Sequence, residues 1–131
     1  MKVFEETKNW GDAETTCISN GGHLATIESK TQNDWIISQT STSIADWPTV
    51  WHGATDQFSE GTWTDAVGQN ALSFLSWETT AGQPNGGESE YPGIENNCAM
   101  MAGTGNWYDR PCTIVAVIFV CGLESGKKPH I

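Results

Sequence analysis

The chain has 131 residues, enough for one domain with its own core, and its six Lys and Arg stand against sixteen Asp and Glu for a net charge of −10. That balance excludes nucleic acid as a partner, since phosphate binding needs a basic patch. No run of about eighteen apolar residues is present, so nothing in the sequence spans a membrane.

Seven tryptophans and fourteen glycines, against an apolar share of 37%, point to large aromatic anchors joined by many tight turns. Met1 leads straight into Lys2-Val3-Phe4 without a leader pattern, as in a mature domain. Trp10, Ala13 and Cys17 recur at helical spacing between Trp10 and Ser19, with Asn9 as N-cap, Asp12 at the third position and Gly21-Gly22 as the stop. A short strand follows at 23–26. Ser29 opens a second helix, Gln32 completes its capping box, Trp35 and Ile36 lie on its apolar face, and it fades near Gln39.

Residues 50–55 read as a buried strand and 61–64 as another around Trp63. Residues 65–97 are rich in glycine and proline and show little periodicity, the mark of a functional loop. Cys98 to Ala102 and residues 115–122 supply two closing strands, and the second holds the strongest apolar run. Helices in the first third, followed by strands and loops, make an α+β layout. The domain covers 1–124, and 125–131 form a solvated, flexible tail.

Four cysteines lie at Cys17, Cys98, Cys112 and Cys121, with no Cys-x-x-Cys pair, and His23, His52 and His130 complete no zinc spacing. The even count reads as two disulfides of open pairing, and so as a secreted or extracellular protein. Gln83-Pro84-Asn85, Asn97-Cys98 and Trp107-Tyr108-Asp109 gather amide and carboxylate oxygens on irregular backbone beside half-cystines. Such oxygens suit a hard cation, Ca2+ above all. The carboxylate pairs Asp56/Glu60 and Glu88/Glu90 are not poised as acid and base, and no nucleophile elbow or helical metal motif occurs. The chain reads as a binding protein and not an enzyme.

The motifs Trp10-Gly11-Asp12-Ala13-Glu14, Gly21-Gly22-His23-Leu24-Ala25, Trp51-His52-Gly53-Ala54-Thr55-Asp56, Glu60-Gly61-Thr62-Trp63, Gln83-Pro84-Asn85, Asn97-Cys98, Trp107-Tyr108-Asp109, Cys112 and Phe119-Val120-Cys121 occur in this order. Together, from residue 2 to about 123, they resemble a C-type lectin-like domain. The resemblance implies an α+β fold with two helices, two small antiparallel sheets and a long ligand-binding loop. It implies the bridges Cys17–Cys121 and Cys98–Cys112, and a cis Pro84. Trp51, Trp63, Trp77 and Trp107 are assigned to the core.

The resemblance also implies a calcium site. Gln83 and Asn85 offer carbonyl oxygens, Asp109 a carboxylate, and Asn96 stands at an acidic family position with Glu95 as its substitute. Tyr108 replaces the family's asparagine. Asp56 and Glu60 match a second calcium position whose other ligands fall at Gly86 and Asn97. So few carboxylates imply weak affinity unless Glu95, Glu90 or Glu88 joins in. The implied partner is a glycan or terminal monosaccharide, met by Gln83, Asn85, Asn96, Asp109, Tyr91 and Tyr108. Gln83 at the first position and a stacking Tyr91 lean to galactose-type sugars. A shallow single site implies several copies acting together, as in a homo-oligomer. The alternative is a calcium-independent lectin-like module that binds protein, favoured by Tyr108 and the missing carboxylate.

Overall fold

The computed structural model describes residues 1–40, 48–85 and 95–123. The strands β1 (Lys2–Phe4) and β2 (Lys8–Asn9) lead into α1 (Trp10–Ser19). Asn9 starts that helix by accepting the Asp12 backbone N–H at 2.8 Å, which satisfies a donor the first turn leaves open. Asn20 closes it, and Gly21 turns the chain away at φ +97°, where a side chain would be strained. After β3 (Gly22–Leu24) comes α2 (Lys30–Thr40). Ser29 Oγ accepts the Gln32 N–H at 3.2 Å, and Gln32 Oε1 accepts the Glu28 N–H at 2.7 Å, so the capping box forms with its return bond one residue early.

The remaining elements are β4 (Pro48–Thr55), a 3-10 turn at Thr79–Ala81, β5 (Cys98–Ala102), β6 (Trp107–Arg110), β7 (Val115–Ala116) and β8 (Ile118–Leu123). One sheet runs β1-β8-β4-β5-β6 with β3 also on β8, and β2 pairs β7 in a second. Every pair is antiparallel except β4–β8, where Val50 and Trp51 register with Ile118 and Phe119.

Four details depart from the sequence expectations. No strand forms at 61–64: Gly61 is left-handed at φ +83°, Thr62 closes a turn onto Ser59, and Thr64 makes only isolated bridges to Thr55 and Ala71. The apolar run at 115–122 divides at Val117, because β7 serves the small sheet and β8 the large one. The β3 strand stops at Leu24, although the Ala25 N–H still donates to Val120 O at 2.9 Å. Trp35 is 38% exposed, since the buried stripe of α2 is Asn33, Ile36 and Thr40.

The core lies on both faces of the large sheet. Along β5, Cys98 and Met100 face a cluster with Trp10, Trp51 and Phe119, while Ala99 and Met101 face one with Ile36, Trp107 and Val120. Trp51 and Trp107 are fully buried, and each indole N–H is satisfied, by Lys8 O at 3.1 Å and Asn33 Oδ1 at 2.9 Å. Trp63 and Trp77 are half-buried and meet edge-to-face at 4.7 Å. Gly53 lets β4 press onto the chain after β3; a Cβ there would meet Leu24 O at 2.6 Å and Ala25 O at 2.8 Å. Cys17–Cys121 ties α1 to β8, and Cys98–Cys112 ties β5 to the chain beyond β6. Their separations of 104 and 14 residues correspond to roughly 5 and 3 kcal/mol in the chain-entropy view.

Candidate metal and ligand site

At the end of β4 the chain turns at 56–61 around one carboxylate. Asp56 Oδ2 accepts the Gly61 N–H at 2.9 Å, and the Asp56 N–H donates to Asn97 O at 3.1 Å. Thr55 Oγ1 donates to the same carbonyl at 2.6 Å, which pins the approach to β5 against β4. Asp56 is 3% exposed, yet its Oδ1 has no partner among the described residues. A buried carboxylate oxygen left open is costly and invites a cation or a donor.

The segment before β6 is stitched to it from the side. The Trp107 N–H donates to Ser76 O at 2.7 Å, and the Glu78 N–H to Trp107 O at 3.0 Å. Hydrogen bonds from Thr80 and Asn106 hold the Glu78 carboxyl below its usual value. Glu78 O then accepts the Gln83 N–H at 3.1 Å, past Gly82 at φ +75°. The last stitch is the Asp109 N–H donating to Gln83 Oε1 at 2.9 Å, in a buried setting. A backbone N–H can face only the amide oxygen, so Gln83 Nε2 points away. It too is buried without a partner among the described residues. The Gln83–Pro84 bond is cis, as the resemblance implies.

The two halves meet electrostatically. The charge of Asp56 pushes the Glu60 carboxyl above its ordinary value, aided by desolvation, a hydrogen bond with Asp56, and the charges of Glu95 and Asp109. Thus the charges of Asp56, Glu95 and Asp109 all act on Glu60. Asn96 and Asp109 are buried, Asn85 is half-buried, and exposed Glu95 accepts from Asn97 Nδ2 at 3.1 Å. Of the tyrosines expected at the sugar, Tyr91 lies outside the described residues, as do Gly86, Glu88 and Glu90. Tyr108 pairs with Met100 while Asp109 pairs with Ala99, so the two side chains leave β6 on opposite faces.

Arg110, on the same face as Tyr108, is a buried cation that the motif reading missed. Its Nη1 donates to Asp109 O at 2.9 Å and its guanidinium lies 5.0 Å from the Tyr108 ring. Its two-residue spacing from Tyr108 on a strand was the available signal. Among the described residues no three His, Cys, Asp or Glu side chains close into a metal site by themselves. The donor set is rich in amides instead, and its oxygens, together with the open Asp56 Oδ1, are of the kind a hard divalent cation takes.

A family model described as Lectin C-type domain matches residues 6–123. Tetranectin of Homo sapiens is 35% identical over 113 residues, covering 84% of this chain and 52% of tetranectin. A perlucin-like protein of Mytilus galloprovincialis is 28% identical over 116 residues, covering 87% of this chain and 69% of its own. The chain thus spans about half the length of the tetranectins it matches. The cow C-type carbohydrate-recognition domain of CD23, in the presence of a GlcNAc2Man3 oligosaccharide, superposes with a TM-score of 0.74 at 29% identity, over 91% of this chain and 82% of that one. A calcium-independent type II antifreeze protein does so with a TM-score of 0.67 at 27% identity, over 91% and 82%. The chain belongs to the C-type lectin domain family, a family of binding modules and not of enzymes.

Proposed function

We propose that this domain binds a carbohydrate in a calcium-dependent manner outside the cell. In this reading Gln83, Asn85, Asn96 and Asp109, with Glu95, hold one Ca2+, and Asp56 and Glu60 serve a second. The observation that carries it is the hydrogen bond from the Asp109 N–H to Gln83 Oε1, which brings the loop amide to the buried carboxylate. The raised Glu60 carboxyl supports the second position, because a cation would relieve its repulsion with Asp56. Bound calcium supplies open coordination positions for two vicinal hydroxyls of a sugar. The chain's own part is to hold amide and carboxylate oxygens toward the metal. Gln83 at the first position of the tripeptide leans to galactose-type sugars, with Tyr91 stacking on the ring. The two disulfides and the similarity to a carbohydrate-recognition domain agree with this reading.

The expected result is retention on galactose resin in millimolar calcium, release by a chelator, and weaker retention on mannose resin. Asp109→Ala should lower calcium affinity by roughly tenfold or more in calorimetry, since it removes a charged ligand. Flow-through on both resins would overturn the reading. A calcium-independent module that binds protein is then favoured, on the observation that Tyr108 turns away from Asp109 and lies against Arg110.

A further inference from the structure

A groove follows the edge of the molecule between β3, the start of α2 and the turn at 65–70, and it shares no residue with the set around Asp109. Its main part is a cavity of about 640 Å³ whose walls include His23, Thr26, Glu28, Gln32 and Asp65. A hollow of about 310 Å³ continues it past His23, Thr26 and Asp65. Another of about 310 Å³ opens from Gln32 to Trp35. Volumes of roughly 300–1,000 Å³ are those of ordinary ligand sites.

The side-chain charges of the wall are mostly acidic, with Met1, which bears the amino-terminal ammonium, also on the wall. Among the described residues no lysine or arginine lines any of the three spaces. The Glu28 carboxylate is exposed and takes no hydrogen bond or ion pair among the described residues, while Gln32 Oε1 holds its backbone N–H at 2.7 Å. The Asp65 carboxylate is fixed by the N–H groups of Val67 and Gln69, at 3.2 and 2.9 Å, and by Asn70 Nδ2 at 3.2 Å. His23 is engaged by Glu14 at 2.5 Å. The lysine of α2, Lys30, pairs with Asp34 at 2.8 Å and lines a different hollow. At the far end stands Trp35, 38% exposed on a helix that has no use for it in the core.

We propose that this groove binds an arginine-bearing segment of a partner protein. One guanidinium meets Glu28 and Asp65, and a neighbouring one lies over the Trp35 ring. Arginine suits both places, because its planar, weakly hydrated cation stacks on indole and bridges carboxylates. The chain's net charge of −10 draws a basic segment toward the groove from a distance. A glycan fits less well, since a neutral polyol gains nothing from that charge. The inference does not depend on calcium or on sugar binding.

The test is calorimetry of the whole chain, in chelator, with an acetylated peptide of alternating arginine and glycine and with its citrulline counterpart. The arginine peptide should bind and the citrulline peptide should not. Glu28→Gln should weaken binding roughly two- to fivefold, and Trp35→Ala roughly two- to tenfold. Both residues are exposed, and circular dichroism of each variant checks that the fold is kept. Either no binding at millimolar peptide or equal affinity in wild type and both variants would overturn the proposal. So would a neutral oligosaccharide that binds in chelator and is lost in Trp35→Ala. Because no calcium is present, failure here leaves the resin result untouched, and the reverse also holds.

Discussion

His52 sits on β4 with its ring 4.3 Å from that of Trp107, and neither ring nitrogen has a hydrogen-bond partner among the described residues. Burial pushes its pKa down from 6.5 to about 3. An unfolded chain therefore takes up a proton on this ring at a pH where the folded one does not. The sign follows: stability is full above about pH 6.5 and falls as the pH drops toward about 3. This one ring contributes at most about 1.4 kcal/mol per pH unit. The urea midpoint should fall over that range, and His52→Leu should flatten the fall; parallel profiles for the two proteins would sink the idea. Nothing local in the sequence announces such a residue, for His52 looks like any histidine until β4 is placed beneath Trp107. The same holds for Gln83. Its motif was legible as a pair of amides, but the direction of its amide depends on a backbone donor 26 residues away.

Elements were legible where their signals are local. Asn9 and Ser29 cap α1 and α2 by side chains that reach only three residues ahead, and β5 appears over Cys98–Ala102 as expected. The strand β6 was not legible, because its hydrogen bonds come from β5 and its inward Trp107 from a core that periodicity does not describe. The break at Val117 was hidden for a related reason. An apolar run shows that a strand is wanted, and not which of two sheets will receive it. The join between α2 and the β5–β6 turn is likewise non-local: Asn33 Nδ2 donates to Gly105 O at 2.8 Å and its Oδ1 accepts from Trp107 Nε1 at 2.9 Å. Asn33→Ala strands both groups in the core and should cost about 2–4 kcal/mol by denaturant unfolding, at about 1–2 for each lost partner. A loss below about 1 kcal/mol would mean that water replaces the amide.

At the scale of the molecule, the candidate site gathers where β4, β5 and β6 hand over to loops, while the groove lies along β3 and α2. Among the described residues no helix is long and apolar enough to cross a membrane. A single shallow sugar site of the kind proposed would hold weakly, so on that proposal two copies joined by a flexible linker should bind a galactose surface about a hundredfold more tightly than one. Equal binding of one and two copies would argue against a surface glycan as the target. The first strand lies beside the last, with Lys2 in register with Cys121, and Cys17 is bonded to Cys121. A pull on the two ends therefore passes straight across that sulfur bridge. The stretch between the two cysteines, which includes every residue proposed to hold calcium, lies off the path of that force.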